Sequence, residues 1–358
     1  MKVLALTPNL YGRSPGQRSS IELWEKVLEP AGIVMHHSPF ETEGLRRVIY
    51  GKGRSAAKAG EMVRAYGRRL RSIGSIDDYD AVLVYREAAM IGPALIERLV
   101  ARRGKPIIYQ LDDPLYVPYQ SPFSGYFSYL KFFGKVGEIC RLSKVVIVNS
   151  SHHRAYAEQF SRNVWQIPSV VDGDVYRPGP RPEREGGPLA LGWTGSASTV
   201  GNLGVIEDPV RELARRRSVR LHLVGVDREP FNGVDTTLRP WSAETEVEDV
   251  RKIDVGLLPL PLNEWNKRKF FLKLVQYMAL GIPAVCTPLG SNPEGVDHGE
   301  TGFLADSSEE WVKYLELLVD DAELRARMGE RAAQVARERF TLQSNAERTV
   351  GACKAALE

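Results

Sequence analysis

Short apolar runs without helical periodicity recur along the chain and are separated by longer amphipathic segments. The apolar runs have the character of buried parallel strands and occupy 2–7, 81–85, 106–111, 145–149, 189–193, 219–225, 253–260 and 283–287. The segments between them predict helices over 21–28, 55–72 and 268–280. Gly281 and Pro283 then mark the end of the last of these helices. The alternation of the two element types predicts an α/β fold.

The chain is long enough for two domains. At 358 residues it exceeds one ordinary hydrophobic core and suits two domains of about 150–180 residues. Residues 168–188 hold five prolines and four glycines without apolar periodicity, which is typical of a linker. We therefore expect a first domain over 1–170, a linker over 171–188, a second domain over 189–340 and a final helix over 341–358.

The composition is that of a soluble globular protein. Hydrophobic residues make up 43% of the chain, and no apolar run approaches the roughly 20 residues of a membrane-spanning helix. No secretory signal precedes the first strand, and Cys140, Cys286 and Cys353 are too widely spaced for a disulfide framework or a CxxC metal site. The net charge of +3 argues against a general nucleic-acid binder. These features predict a cytoplasmic protein with reduced thiols.

The segment 264–306 contains the strongest candidate site. A glycine-rich loop follows its strand, and ligands of α/β sheets bind beyond the carboxyl ends of strands. The loop residues that we expect to contact a ligand are Gly290, Ser291, Asn292 and Glu294. The basic residues of the preceding helix are Arg268, Lys269 and Lys273, of which the two lysines are four apart and share one side. Cations beside such a loop indicate an anionic ligand, most simply a phosphate.

Two further loops follow strands in the same way. The first strand of the second domain is followed by Gly195 and Ser196, whose small side chains let the backbone approach a phosphate. The first strand of the chain is followed by Gly16, Gln17 and Arg18, which form either an anion-binding loop or an ordinary strand–helix turn. This loop is not a GxGxxG fingerprint, so NAD binding is not supported.

Asp112 and Asp113 end a buried strand and are expected on the ligand side of the sheet. They resemble a metal-ligand pair, but no second ligand cluster accompanies them, and one of them could cap the turn instead. His152 and His153 are adjacent, so they point in different directions and are interpreted as helix-start residues. We therefore predict no metal site.

Basic residues are concentrated between 46 and 71, where nine Lys or Arg accompany one acid, Glu61. This segment is interpreted either as a solvated face or as a surface that docks on anionic lipid or an anionic acceptor. Five aromatic residues lie between 126 and 133 and are expected mostly in the core, with some at a membrane surface or an acceptor groove. Peripheral contact with an anionic membrane is thus one of two open interpretations.

The order of motifs within 264–306 resembles a known family. Lys-Leu-Val-Gln-Tyr-Met-Ala-Leu-Gly-Ile-Pro-Ala-Val precedes Pro-Leu-Gly-Ser-Asn-Pro-Glu, and Gly-Glu-Thr-Gly-Phe-Leu follows. This order is similar to the C-terminal signature of the retaining group-1 glycosyltransferases. The resemblance implies a GT-B fold, in which two Rossmann-like domains face a central cleft. It also implies that the final helix crosses back to the first domain.

The resemblance implies roles for several residues. The second domain would hold a nucleoside-diphosphate sugar as co-substrate, without a metal or other cofactor, and the N-terminal loop would face the donor phosphates or the acceptor. Asp112 or Asp113 stands where many relatives have a histidine near the donor sugar, and either could bind sugar hydroxyls or accept the acceptor's proton. Many relatives place an Arg and a Lys shortly after the first strand of the second domain to hold the diphosphate. Neither occurs between Gly192 and Ile206, so Lys269 and Lys273 are expected to supply that charge.

The chain departs from the family pattern at two positions. Gln276 stands where relatives with an E-x7-E pattern place the Glu that binds the ribose hydroxyls, and Arg268 stands at the first Glu. An amide can still bind a diol, and Glu294 is an alternative contact for sugar hydroxyls.

The function implied is a retaining glycosyltransferase of the hexosyltransferase type that acts in glycan biosynthesis. Lys273 is expected to stabilise the charge that develops on the leaving diphosphate. The acceptor would be a glycan, a lipid-linked molecule or a small molecule. Two alternatives are an inactive GT-B-like partner or scaffold subunit, which the missing Glu pair supports, and a sugar-nucleotide epimerase.

Overall fold

A computed structural model of the chain describes residues 1–49, 55–120, 125–179, 187–196 and 198–358. The chain divides into unit 1, which comprises Met1–Ser169 and Asn345–Glu358, and unit 2, which comprises Val170–Ser344. Residues 180–186 of the predicted linker and Ala197 of the predicted phosphate loop lie outside the described residues.

Unit 1 is built on a parallel sheet of six described strands. In chain order they are β1 (Lys2–Thr7), β2 (Val34–Pro39), β3 (Ala81–Tyr85), β4 (Ile107–Leu111), β5 (Val145–Val148) and β6 (Val164–Gln166). The order across the sheet is β2-β1-β3-β4-β5-β6, and each neighbouring pair is parallel. All residues of β3, β4 and β5 are buried, as expected for strands covered on both faces.

The α-helices of unit 1 are α1 (Pro15–Gln17), α2 (Leu23–Leu28), α3 (Glu43–Ile49), α4 (Ser55–Gly74), α5 (Leu95–Arg102), α6 (Lys135–Leu142), α7 (Ser151–Ala157) and the C-terminal helix Ala346–Lys354. A π-helical turn spans Arg18–Glu22, and 3₁₀ turns span Ile76–Asp78 and Gly125–Lys131. The C-terminal helix is joined to the sheet by Arg348, whose Nη2 donates to the carbonyl of Gln166 at 2.6 Å.

Unit 2 repeats this architecture. Its described strands are β7 (Leu189–Thr194), β8 (Val219–Val224), β9 (Thr236–Arg239), β10 (Val255–Leu258), β11 (Ala284–Cys286) and β12 (Gly302–Leu304). The order across this second parallel sheet is β12-β11-β10-β7-β8-β9. Its α-helices are α8 (Glu207–Arg216), α9 (Glu246–Arg251), α10 (Leu272–Ala279), α11 (Asn292–Gly295), α12 (Ser308–Asp320) and α13 (Ala322–Arg339). The 3₁₀ turns lie at Val200–Ile206 and Asn266–Arg268, and a further one spans Gln343–Asn345.

The apolar runs identify the interior strands of both sheets, and the predicted α/β fold with parallel sheets is confirmed. The four strands that the sequence does not predict are β2, β6, β9 and β12, which are the two edges of each sheet. An edge strand has a neighbour on one side only, and β2, β6 and β9 are largely half-buried or exposed. Such strands do not require a continuous apolar run, which explains why the pattern misses them.

None of the described helices combines the length and the apolar content that crossing a membrane requires. The three cysteines are free and buried, and burial raises the pKa of Cys140 and of Cys353 to about 12. These thiols are therefore unreactive core side chains.

Candidate functional site

The helix predicted over 268–280 begins at Leu272 rather than at residue 268. Lys269 has extended backbone angles, with φ −76° and ψ 140°. Its carbonyl accepts a hydrogen bond from the N–H of Ser291 at 3.0 Å, which replaces the helical partner that this carbonyl would otherwise have. The prediction that Lys269 and Lys273 share one face of a helix was therefore wrong.

Gly290 brings its loop into contact with the turn that precedes α10. Its φ is +61°, in the left-handed region. A Cβ at this position would lie 2.5 Å from the carbonyl oxygen of Lys269 and 2.7 Å from that of Asn266. Only glycine fits such a close approach of two backbones. The predicted ligand loop is thus held directly against Lys269.

Lys273 lies in the first turn of α10 with its ammonium group over an indole ring. Its Nζ is 4.1 Å from the centroid of the Trp193 ring, which is the geometry of a cation–π interaction. Within the described part of the chain, Lys273 makes neither a hydrogen bond nor an ion pair. Burial and, to a smaller extent, Lys269 lower the pKa of Lys273 well below its ordinary value. Lys269 therefore lies near enough to repel Lys273 although it is outside the helix.

Trp193 connects Lys273 to the predicted phosphate loop, and the sequence analysis missed this residue. It is fully buried at the end of β7. A Cβ on Gly195 would lie 2.0 Å from the indole, so the glycine backbone rests on the ring. Gly225 has φ +90°, and a Cβ there would lie 2.0 Å from the carbonyl oxygen of Gly195. A large apolar residue at a strand end is ordinarily core, so the sequence carries no signal for this role.

The hydroxyl groups beyond Gly195 lie at the surface of unit 2. Ser196 is exposed, and its hydroxyl is 2.8 Å from that of Ser198. The N–H of Ser196 donates to Oγ1 of Thr199 at 3.2 Å. The loop is therefore held by its own side chains while its hydroxyls stay accessible.

Gln276 is buried, and its amide nitrogen has two partners. Nε2 donates to Oε1 of Glu246 at 3.0 Å and to the hydroxyl of Tyr176 at 3.1 Å. Gln276 follows Lys273 by three residues on α10, so the two lie on the same side of the helix. Position 276 itself has no carboxylate, but the carboxylate of Glu246 lies against the Gln276 amide. Glu246 lies within a segment that the sequence analysis did not connect to this position.

The other predicted residues of unit 2 are ion-paired, buried or exposed. Arg268 forms an ion pair with Glu264 at 2.8 Å. Ser291 and Asn292 are buried, whereas Glu294 is exposed. Among the predicted residues, Gly195 and Lys273 lie against the Trp193 ring, Gly290 lies against Lys269, and Gln276 shares the side of α10 that carries Lys273.

The two aspartates of unit 1 have different surroundings. Asp112 is buried and accepts hydrogen bonds from Arg86 Nε at 2.5 Å, from Arg86 Nη2 at 2.9 Å and from the Tyr85 hydroxyl at 2.6 Å. Asp113 lies 2.7 Å from Arg86 Nη2, but its side chain is 22% exposed, against 4% for Asp112. Asp113 is therefore the carboxylate that a ligand can reach. Among the described residues, no group of three or more His, Cys, Asp or Glu is placed to hold a metal ion.

Arg86 positions this pair, and the sequence analysis missed it. Its φ is +61°, which is unusual for a residue other than glycine. The backbone is held there by the Arg86 N–H, which donates to the Gln110 carbonyl, and by the Tyr109 hydroxyl, which donates to the Arg86 carbonyl at 2.9 Å. The one available signal is an arginine directly after a buried strand.

The predicted N-terminal loop is largely helical. The residues assigned to it are Gly16, Gln17 and Arg18. The first two belong to α1, and the third begins the π-helical turn. A Cβ on Gly16 would lie 2.9 Å from Nη2 of Arg86, so this helix faces the aspartate pair. Gln17 is buried, and its Nε2 donates to Glu22 Oε1 at 2.7 Å, so its amide anchors the segment.

His153 lies in the first turn of α7, as predicted, and is linked to the aspartates. The Ser150 hydroxyl caps the helix by accepting from the His153 N–H at 3.3 Å. Burial lowers the pKa of the imidazole to about 4, so it is neutral. Nδ1 lies 2.7 Å from Asn149 Oδ1, and the Asn149 amide nitrogen donates to the Asp112 carbonyl at 3.0 Å. Asn149 Oδ1 is therefore an acceptor, and the proton is on Nδ1 of His153.

Comparisons with known proteins find a family match for the segment that contains α10. Residues 268–335 match the family model described as "Glycosyl transferases group 1". N-acetyl-alpha-D-glucosaminyl L-malate synthase of Bacillus anthracis is 39% identical over 78 residues, which are 21% of this chain and 20% of the relative. D-inositol 3-phosphate glycosyltransferase of Corynebacterium efficiens is 36% identical over 110 residues, which are 29% of this chain and 25% of the relative. The matched segments thus span a quarter or less of these relatives.

A solved structure matches the whole chain. The Anabaena protein Alr3699/HepE, in complex with UDP and glucose, has a TM-score of 0.69 at 16% identity and covers 99% of both chains. The predicted GT-B fold with two Rossmann-like domains is confirmed by this likeness. The resemblance to the group-1 glycosyltransferases is confirmed over residues 268–335.

Replacing Gly290 with alanine tests the contact between its loop and the turn before α10. Gly299 is the matched control, because its φ of +86° is also left-handed but a Cβ there meets nothing within 4 Å. Both variants incur the left-handed strain of about 1–2 kcal/mol. Gly290→Ala must also displace the backbone at Lys269, so we expect the larger loss in free energy of unfolding, measured by urea denaturation. Equal losses in the two variants would contradict the close contact.

Replacing Gln276 with glutamate tests its pairing with Glu246. Two buried carboxylates would then face each other, and we expect a loss of about 1–3 kcal/mol in the free energy of unfolding at neutral pH. The repulsion raises the pKa of one carboxyl in the folded state, so stability should recover as pH falls through that raised value.

The control for this variant is the exchanged pair, Gln276→Glu with Glu246→Gln, which restores one amide and one carboxylate. Thermal unfolding between neutral and mildly acidic pH compares all three proteins. A double variant no more stable than Gln276→Glu alone would show that the amide–carboxylate contact is unimportant.

Proposed function

We propose that this chain is a glycosyltransferase that moves a sugar from a nucleoside-diphosphate sugar to an acceptor hydroxyl with retention of anomeric configuration. The observation that carries the proposal is the ammonium group of Lys273, which lies half-buried over Trp193 and has no anionic partner among the described residues. It lies inside the segment that matches the group-1 glycosyltransferases.

Lys273 is suited to act on the leaving diphosphate. Negative charge grows on that group as the bond to the anomeric carbon breaks, so a cation already in place lowers the barrier. Because the side chain is half-buried, the interaction of its ammonium group with a phosphate is screened less than at a fully exposed site. Lys269 adds a second positive charge nearby, and the backbone of Gly195 can approach the same phosphates.

The Gln276–Glu246 pair is suited to bind a diol such as that of a ribose. The Glu246 carboxylate can accept hydrogen bonds from hydroxyl groups, and the Gln276 amide orients it. The absence of a carboxylate at position 276 was the support for an inactive scaffold. With Glu246 beside that position, the support is weaker, and the enzyme is the better proposal.

The finer parts of the expected function rest on separate features. Asp113 would bind sugar hydroxyls or receive the acceptor's proton, with Asp112 and Arg86 holding it in place. No metal or further cofactor is required by this proposal, since the nucleotide sugar is a co-substrate. Location in the cytoplasm, peripheral to a membrane, is also proposed, and its support is the exposed side chains of unit 1.

A donor panel tests the proposed function. The protein is incubated with UDP-, GDP- and ADP-sugars, and release of nucleoside diphosphate without acceptor is followed over time. UDP-sugars come first because Alr3699/HepE was crystallised with UDP and glucose. Slow release from one donor supports the transferase, whereas no binding of any nucleotide supports the scaffold. Epimerisation of the sugar without loss of the nucleotide would favour the epimerase.

Replacing Lys273 with methionine should separate binding from stability. A charge-assisted bond to phosphate contributes about 1.5–3 kcal/mol, so affinity for a nucleoside diphosphate should fall roughly ten- to a hundredfold. Affinity for the bare nucleoside should hardly change. The desolvated charge has a lowered pKa when folded and therefore disfavours folding below the unfolded pKa, so the variant should unfold at a higher temperature in the absence of ligand.

Lys267 provides the matched control because it lies in the same segment but pairs with Glu264 at 2.6 Å. Lys267→Met should leave both affinities unchanged. Calorimetry with the diphosphate and the nucleoside, together with thermal unfolding, measures all three effects. A Lys273 variant that loses both ligands equally, or neither, would rule out the phosphate role.

Asparagine substitutions should distinguish the two aspartates. Asp113→Asn removes a reachable carboxylate, so turnover should fall about a hundredfold or more while nucleotide affinity stays constant. Asp112→Asn leaves the partly buried Arg86 short of a partner, and it should mainly lower the melting temperature. Steady-state kinetics and thermal unfolding give the two readouts. The reverse pattern would exchange the proposed roles of the two aspartates.

A further inference from the structure

Unit 1 exposes several large apolar side chains close together in space. On α4 these are Val63, which is 72% exposed, and Leu70, which is 49% exposed. Around the 3₁₀ turn Gly125–Lys131 they are Tyr129 at 54%, Leu130 at 48% and Phe132 at 50%. The sequence analysis expected most aromatics of this segment in the core and some at a surface, and Tyr129 and Phe132 are of the second kind. The side chains of Tyr126 and Phe127 lie outside the described residues.

Hydrogen bonds through one loop connect the two elements that carry these side chains. The Tyr66 hydroxyl of α4 donates to the carbonyl of Ile91. The next residue, Gly92, donates its N–H to the carbonyl of Leu130 at 2.6 Å. The loop at residues 91–92 therefore joins α4 directly to the turn that carries the exposed aromatics.

The helical geometry of α4 orients its exposed side chains with respect to that loop. Successive residues of an α-helix are rotated by about 100°, so Leu70 and Val63 project about 40° and about 60° to one side of Tyr66. Arg71 and Arg64 follow on the same side at about 140° and about 160°. Moving outward from the loop, the surface thus presents a tyrosine, an apolar stripe and then an arginine edge.

The basic residues of this region divide into two groups. Arg69 is buried and donates to the carbonyls of Ser38 and Thr7, and Arg68 donates to backbone carbonyls of the same segment. Arg69 therefore belongs to the core and the half-buried Arg68 is bound to backbone, so neither contributes a freely solvated charge to the basic segment. Lys52 and Arg54 lie outside the described residues.

The second group remains free for a partner. Its members, which have no ion pair with a described carboxylate, are Arg47, Lys58, Arg71 and Lys131. On α4 itself, five basic residues accompany a single acid, Glu61. Because Arg64 is paired with Glu61, the unpaired cation at the edge of the apolar stripe on α4 is Arg71.

We infer that this surface docks on an anionic lipid bilayer, with Val63, Leu70, Leu130 and Phe132 entering the interface and Arg71 and Lys131 binding phosphate groups. Tyrosine and phenylalanine beside lysine and arginine are the residues that a membrane interface takes up. Phe132 has φ +54°, which is strained for a bulky residue, and its ring is exposed. Charge complementarity favours lipid phosphates over a neutral partner.

Vesicle co-sedimentation tests this surface with the full chain. Vesicles of phosphatidylcholine are compared with vesicles that also contain phosphatidylglycerol, at ionic strengths of about 0.01 M and about 0.15 M. We expect binding to the anionic vesicles, weakened at the higher salt. Arg71→Gln with Lys131→Gln should lower the partition coefficient roughly fivefold per charge. Leu70→Ser with Leu130→Ser should lower it about tenfold or more.

Matched controls come from unit 2. Leu262 is 77% exposed and Leu317 is 41% exposed, so Leu262→Ser with Leu317→Ser controls for loss of surface leucines. Arg327→Gln with Arg337→Gln controls for net charge, since both arginines are exposed. Circular dichroism checks that every variant is folded.

Each outcome decides the proposal. Equal binding to neutral vesicles, no binding to anionic ones, or equal losses in the control variants would overturn it. A dimer in sedimentation velocity that the surface variants dissociate, without vesicle binding, would assign the surface to a second copy of the chain. The donor-hydrolysis assay is independent of these measurements, so failure here leaves the proposed enzymatic activity untouched.

Discussion

A lysine ammonium group packed against an indole ring is the interaction on which the candidate site of unit 2 depends. Removing an ammonium group from water disfavours its charge, as the lowered pKa of Lys273 records. The Trp193 ring offsets part of that cost. The Gly195 backbone rests on the same ring, so a side chain at Gly195 would displace the indole from beneath Lys273, and a side chain at Gly225 would displace the Gly195 carbonyl. The end of β7, the turns at Gly195 and Gly225, and α10 are therefore packed against one another in sequence, from Gly225 to Gly195 to Trp193 to Lys273.

The turn before α10 shows how tertiary bonds override local preference. Residues 268–280 contain neither glycine nor proline, and their apolar spacing favours a helix throughout. The carbonyl of Lys269 is bound instead by Ser291, from the loop that Gly290 presses against this turn. This hydrogen bond from a segment about twenty residues away replaces the helical one. The spacing of apolar residues near Lys269 cannot predict it. The predicted proximity of the two lysines survives for a different physical reason.

How much the sequence reveals depends on whether the signal is local. Interior strands can be predicted because both of their faces are buried, which requires a continuous apolar run. Edge strands lack this requirement and were not predicted. The segment around Lys273 could be recognised because its motifs follow one another along the chain. Trp193, Arg86 and Glu246 could not, since each acquires its place through contacts with residues far away in sequence. The same limit applies to Arg69, whose charge looked solvated and is in fact bound by backbone carbonyls in the core.

In both units, some candidate residues are already bonded to other residues of the protein and others remain available to a ligand. Glu264 holds Arg268, which leaves Lys269 and Lys273 as the cations beside the Gly290 loop. In unit 1, the Arg86 fork and Tyr85 satisfy Asp112. Polar groups that are already hydrogen-bonded gain little from a ligand, because binding would exchange one bond for another. Groups that are partly buried and unpaired gain more, which favours Lys273 as a ligand contact.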